Sequence, residues 1–433
     1  MRHLATFYLI VLTQTTSLIG SRMTAIALGI WLFDTTGDTA PLLLMVFFAE
    51  LPGAVAGSVA GVLIDRLDRR VVLLLADGGQ AVTTTLLLLI FLAGDVHLWQ
   101  LYLLALVQGT FATFQQPALE ATTTVLVPER QRERANAVQQ MAFPLAGVIA
   151  PALTGLVYAW IGITGVIIVD LATFTLAVSL LSMLHIPRPK ATAEGTAARG
   201  HILQELLAGV RFLIRRRVLF GLVLYMMLIN FLLNGPLELA IPYLVTVTGS
   251  EAVMGGLMSL MSLGALVGAG LIAVWGGSRP RLLTLLPGLL LSGVMFLVYG
   301  TAREPLGLGI SLFLLTIPLP ISFALYLSIL QVKTPPDMQG RIFAMVSQLG
   351  FLGATLSFLL TGQIVDRVLE PAVGTTWWKI VAPVVGQAEG AGMRLLLVAT
   401  GVVILVATTA MLATPAVRRL ESDLPDYKVV TEN

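Results

Sequence analysis

Runs of about 20 mostly apolar residues, the length that crosses a bilayer as a helix, recur from one end of this chain to the other. They fall at roughly 4–33, 40–64, 71–93, 98–127, 135–160, 164–184, 218–246, 252–275, 282–300, 306–332, 342–365 and 392–414. Little is left over for a soluble domain. The 433 residues are 57% hydrophobic and 12% charged, against about 25% charged in soluble domains. The first run follows Met1-Arg2-His3 and lacks an A-x-A cleavage site, so it reads as a span and not as a removed signal. The expectation is an all-α integral membrane protein with twelve spanning helices.

The basic residues give these spans a direction. Most of the 26 Lys and Arg residues lie in loops on one side, with Arg303, Arg367, Lys379 and Arg394 on the other. The positive-inside bias then places both termini in the cytoplasm. A net charge of +2 spread over short loops is membrane topology, so no nucleic acid partner is expected. The chain has no cysteine, which excludes disulfides, thiol catalysis and Cys metal sites. Its 4 histidines are scattered, so no metal and no cofactor are expected. Gly386–Gly392 is glycine-rich but lacks the G-K-[ST] of a phosphate loop. No nucleophile–base pair stands out, and an enzyme is not expected.

One loop is unusually dense in charge. Gly61-Val62-Leu63-Ile64-Asp65-Arg66-Leu67-Asp68-Arg69-Arg70 packs acids and arginines between two apolar runs, so it must lie at a membrane surface. Its pattern, G-x-L-x-D-R-x-D-R-R, resembles the loop between the second and third helices of major facilitator superfamily transporters. That resemblance implies two pseudo-symmetric six-helix bundles with a gate built from Gly61, Asp65, Arg66, Arg69, Arg70 and Glu120. Arg69 would pair with Glu120, and Asp65 would face the start of the eleventh helix near Gly340-Arg341.

The two halves also echo each other. Pro128-Glu129-Arg130-Gln131 aligns with Pro336-Asp337-Met338-Gln339, and Thr36-Gly37-Asp38 with Thr248-Gly249-Ser250. Such repeats place a binding site between halves near the midplane. The organisation reads as a first bundle over 1–184, a cytoplasmic linker over 185–217, a second bundle over 218–414 and a tail over 415–433. Leu203, Leu206, Leu207, Val210, Leu213 and Ile214 recur at helical spacing in the linker, as in a helix on the inner leaflet.

Phe114-Gln115-Gln116-Pro117-Ala118, Val169-Asp170-Leu171-Ala172-Thr173-Phe174 and Asp366-Arg367-Val368-Leu369-Glu370-Pro371 resemble the macrolide-efflux and enterobactin-exporter-like branch. Gly147, Pro151 and Gly155 resemble the fifth-helix motif of drug exporters, with Ala150 where that motif has glycine. The arginine usual in the fourth helix of drug exporters is missing near Ala105.

Polar residues inside the spans need partners or a role. Arg22 precedes Asp34, and Glu50 follows Asp38, by the same number of residues. Their depths therefore match, and an Arg22–Glu50 ion pair is expected. It would be either a fixed pair or a proton-responsive one. In the seventh span Asn230, Asn234 and Glu238 recur at four-residue intervals and share a face. That face would either contact substrate or protons, or hydrogen-bond to other helices. Gln108, Gln115 and Gln116 of the fourth span, with Met227, Phe323 and Tyr326, are candidates for a substrate cavity with adaptable apolar walls. Asp170 is expected to be structural. Trp377 and Trp378 read as interfacial anchors.

The resemblance implies a secondary transporter of a cytoplasmic inner membrane, exporting a bulky amphipathic small molecule in exchange for protons and working as a monomer. Glu50, Arg22 and Glu238 are the candidates for proton coupling. A lipid or lysolipid transporter of the same fold and a non-transporting membrane sensor remain as alternatives.

Overall fold

The computed structural model describes residues 2–64, 68–128, 131, 135, 138–139, 141–184, 211–335, 338–424 and 426–427. For residues 2, 3, 58–64, 69, 121, 123–125, 340, 341 and 344 it describes the backbone alone. Among the described residues the regular structure is helical. The first helices are α1 (Arg2–Thr36), α2 (Ala40–Ile64), α3 (Arg69–Ala93), α4 (Leu98–Leu126) and α5 (Ala142–Met183). Then come α6 (Arg217–Glu238), α7 (Ala240–Thr248), α8 (Glu251–Trp275), α9 (Leu282–Thr301), α10 (Pro305–Thr316), α11 (Pro318–Lys333) and α12 (Gln339–Ile364). A π-helical turn, Val365–Leu369, precedes α13 (Trp378–Val385), α14 (Ala391–Ala413) and two short tail helices.

Ten stretches among the described residues are long and apolar enough to cross a membrane. One of them, α5, has 42 residues and holds two spans, because Gly162 leaves helical geometry at φ 66° and ψ −170°. That left-handed φ suits glycine, and it replaces a loop between the fifth and sixth spans. The 29-residue α4 is long enough to be a further span, but Gln100, Gln108, Gln115, Gln116 and Glu120 dilute its apolar character. Counting α5 twice and adding α4 accommodates the twelve expected spans.

Two spans are broken within their length. The seventh divides into α6 and α7 at Leu239, just after Pro236, and the tenth divides into α10 and α11 at Ile317, just before Pro318. Proline removes a backbone donor and crowds the preceding turn, so both breaks have a local cause. The start of α3 also has one. Asp68 accepts a 3.0 Å hydrogen bond from Arg70 N, and Gly94 ends the helix at φ 75°.

The chain groups into two compact units. The first contains Met1–Thr192, Glu238–Ser259 and Phe358–Asp366; the second contains Ala193–Leu237, Leu260–Ser357 and Arg367–Asn433. In the first, α1 packs along α5, and α4 packs against α2 and α3. Phe7, Ile10, Leu73, Ala118 and Leu126 are part of a buried cluster there. In the second, α9 is the central helix and packs on α10, α11 and α14. The expected linker over 185–217 lies mostly outside the described residues.

Segments 238–259 and 358–366 were expected with the second bundle, yet they group with the first unit. Close backbone packing is the physical reason. A Cβ added at Gly155 would lie 2.6 Å from the Glu251 carbonyl oxygen, and Ser259 Oγ donates to Val148 O at 2.7 Å. Pro151 and Gly155, two members of the fifth-helix motif, therefore form a seam with the start of α8. Gly147, the third, is buried in α5.

The expected anchoring role of Trp378 is corrected. Trp378 is fully buried, and its Nε1 donates to Gly386 O at 2.9 Å inside the loop cluster with Ala372, Val385 and Ala391. Trp377 beside it is the exposed ring.

Candidate functional site

The first unit holds a buried polar cluster centred on Asp77 of α3, which has no exposed surface. Gln14 Nε2 of α1 donates to Asp77 Oδ2 at 2.6 Å. Gln115 Nε2 of α4 donates to Asp77 Oδ1 and to Gln14 Oε1, both at 2.7 Å. Gln80 Nε2 donates to Gln115 Oε1 at 3.0 Å. Buried polar groups require such partners, and this ring ties three helices together. Gln115 was expected in a substrate cavity, and the structure places it in this network. Neither Asp77 nor its partners Gln14 and Gln80 was anticipated from the sequence. The available signal was an i, i+3 polar pair, Asp77 and Gln80, within an apolar run.

The other polar residues of α4 go elsewhere. Gln108 Oε1 accepts from Thr83 Oγ1 of α3. Gln116 Nε2 donates to Glu120 Oε1 at 3.0 Å along the helix, and Glu120 is exposed. Asp170, expected to be structural, is buried on α5, where Ser21 Oγ donates to it at 3.4 Å and Thr84 Oγ1 at 3.5 Å.

Arg22, Glu50 and Glu238 form a second cluster in the same unit. The expected direct Arg22–Glu50 ion pair is not formed: no ion pair closer than 4.0 Å among the described residues includes any of the three. Residue counts give depth along a helix but do not fix the way a side chain faces, so equal depth does not by itself make a pair. The Arg22 guanidinium instead lies 5.4 Å from the centre of the Phe143 ring. The charge of Glu238 acts on it more strongly than that of Glu50, and Glu50 also acts on Glu238. Among the described residues Arg22 is the one cation acting on either acid.

The second unit carries a half-open cavity of about 320 Å³ lined by α6, α9, α11 and α12. Met227, Asn230, Phe323 and Tyr326, all sequence candidates, meet on its walls, with Met226 beside them. Most of the remaining lining is aliphatic, with Ser322 Oγ occupied by a 3.2 Å bond to Leu285 O. Asn234 is not on the wall; its Nδ2 donates to Asn230 O at 2.8 Å and to Asn230 Oδ1 at 3.1 Å. Tyr326 is 2% exposed, and its hydroxyl has no hydrogen-bond partner among the described residues. An apolar pocket with a few placed polar groups suits a drug-sized amphipathic ligand.

In the charged loop, Asp65 and Arg66 lie outside the described residues, as do the side-chain surroundings of Gly61 and Arg69. The expected Arg69–Glu120 and Asp65 contacts therefore lie outside them too. Arg70 is described, and its Nη2 donates to Ser182 O at the end of α5.

Helices of membrane-crossing length, with acids and amides sequestered between them and a pocket in the bundle, define a polytopic membrane carrier. Residues 10–358 match the family described as Major Facilitator Superfamily, and the chain belongs to that superfamily. It is a multi-pass membrane transporter and not an enzyme. Macrolide efflux protein A of Streptococcus pyogenes is 23% identical over 369 residues, 84% of this chain and 90% of that protein. Enterobactin exporter EntS of Escherichia coli O81 (strain ED1a) is 31% identical over 320 residues, 71% of this chain and 72% of that protein. Among solved structures, a bacterial homologue of the human lysosomal transporter Spinster superposes with a TM-score of 0.73 at 15% identity, covering 94% of this chain and 95% of that chain. A mutant form of the nucleoside transporter NupG also gives a TM-score of 0.73 at 15% identity, covering 94% of this chain and 99% of that chain. These two share the fold.

Proposed function

We propose that this chain exports bulky amphipathic small molecules, macrolide- or siderophore-like, across a bacterial cytoplasmic membrane in exchange for protons. The observation that carries the reading is the cavity of the second unit. Methionines and aromatic rings supply walls that repack around different apolar shapes. Asn230 and the Tyr326 hydroxyl offer the few polar contacts that orient a guest. The efflux names of the relatives support the same substrate class.

Arg22, Glu50 and Glu238 supply the coupling chemistry. With both acids ionised the cluster carries one more negative charge than positive, and one proton brings it to neutrality. Proton binding to one carboxylate removes part of the charge that attracts Arg22, and shifts the packing of α1 against α2 and the α6–α7 break. Alternating exposure of the cavity to the two membrane faces follows from that change. The gate residues Asp65, Arg66, Arg69, Arg70 and Glu120 serve the inner side, and both termini lie in the cytoplasm. A single copy of the chain suffices.

The energetics are adequate. One proton moving down 100 mV yields about 2.3 kcal/mol, and one pH unit adds about 1.4 kcal/mol. The test is retention of a radiolabelled macrolide by cells with and without the protein. Lower retention that a protonophore restores supports export. Equal retention of macrolides, with lipid moved between leaflets instead, replaces this substrate class by a lipid.

A further inference from the structure

The stretch Asp366-Arg367-Val368-Leu369-Glu370-Pro371 stands apart from both the charge cluster and the cavity. Its two acids attach to two different helices. Asp366 Oδ1 accepts from Thr39 N at 3.0 Å and from Thr39 Oγ1 at 2.8 Å, and Oδ2 accepts from Ala40 N at 2.5 Å. Thr39 and Ala40 begin α2, so a carboxylate from the end of α12 occupies the N-cap place of α2. The first turn of α2 contains no acid of its own. The helix dipole adds to the attraction. One turn before Asp366, a Cβ at Gly362 would lie 2.6 Å from Ala40 Cα, so the two backbones touch.

Glu370 does the same for another helix. Its Oε1 accepts from Gly392 N at 3.0 Å and Met393 N at 3.3 Å, in the first turn of α14. Asp366 lies within the π-helical turn Val365–Leu369 and Glu370 directly follows it, a geometry that recurs at functional positions. The boundary between the two compact units falls within that turn, between Asp366 and Arg367.

We propose that Asp366 is a releasable latch, holding the outer end of α12 on the N-terminus of α2 and letting go when the protein opens outward. The proposal rests on the alternating-access reading and on the outward placement of the Thr36–Asp38 loop. Thr39 is buried while Asp366 caps it, but the preceding Thr36, Gly37 and Asp38 are exposed, so separation of Asp366 opens the freed donors to water. Glu370 keeps its helix throughout.

The cysteine-free chain makes the test direct. Asp38→Cys and Ile364→Cys, both at exposed positions, carry spin labels whose separation is read by double electron–electron resonance, without substrate or pH gradient. The latched protein gives a dominant short distance. Asp366→Ala raises the ratio of long to short at least tenfold, equivalent to about 1.4 kcal/mol. Asp366→Asn keeps an acceptor for Thr39 and falls between, and Glu370→Gln leaves the short distance dominant. An unchanged distribution in monodisperse Asp366→Ala protein overturns the latch. Should that variant not fold, Asp366→Asn and Thr39→Val decide, and no change in either has the same meaning. Because no compound is transported in this measurement, a failure of the export reading leaves it unaffected.

Discussion

Gln14 Nε2 of α1 donates to Asp77 Oδ2 of α3 at 2.6 Å, while Gln115 of α4 holds the other carboxylate oxygen at 2.7 Å. One buried side chain thus joins three helices of the first unit. Asp77→Leu removes the acceptor and leaves two buried amides without it, at about 1–3 kcal/mol each. The melting temperature in detergent should fall by several degrees. Asp77→Asn retains one acceptor oxygen and should fall less.

That hub shows where sequence reading stops. The spans were legible because about 20 apolar residues are a physical length. Proline supplies a local cause for the breaks near Pro236 and Pro318. Asp77 was hidden because an acid in the run Leu73-Leu74-Leu75-Ala76-Asp77 looks the same whether it faces lipid, loop or bundle. Arg22 and Glu50 show the complementary limit. Counting residues gives depth along a helix, but which side chains meet depends on rotation, and packing sets rotation. Met227, Asn230, Phe323 and Tyr326 were readable as spaced residues, but the cavity joining them required the fold.

The cavity yields a pair of expectations. Tyr326→Phe removes one hydroxyl and should weaken binding of a polar macrolide by about 0.5–1.5 kcal/mol, roughly two- to twelvefold, while a purely apolar dye binds as before. Met227→Trp fills the space and should abolish binding of both. Equilibrium dialysis with the two ligands reads the difference.

The seam between α5 and α8 is less forgiving. Gly155→Leu drives a branched side chain into the Glu251 backbone, where even a Cβ would sit at 2.6 Å. Backbone cannot yield as a flexible side chain does, so the variant should elute as aggregate or reach the membrane at greatly reduced level. Size-exclusion profiles of membrane extracts check this.

In the second unit the tail is clasped by a buried lysine. Lys333 is 1% exposed, and its Nζ donates at 2.6 Å to Glu421 O, Leu424 O and Asp426 Oδ1. Lys333→Met should free the tail, seen as faster limited proteolysis after residue 415. Asp426→Asn should change little, because that carboxylate is half exposed and the two backbone acceptors remain.

The most direct test of proton-coupled export is proton movement in proteoliposomes holding an imposed pH gradient, on addition of erythromycin. Proton-coupled export predicts macrolide-dependent proton flux through the wild type and its loss in Glu238→Gln, with Tyr326→Phe needing more compound for the same flux. Macrolide transport by the wild type without proton movement, or undiminished flux in Glu238→Gln, would contradict it.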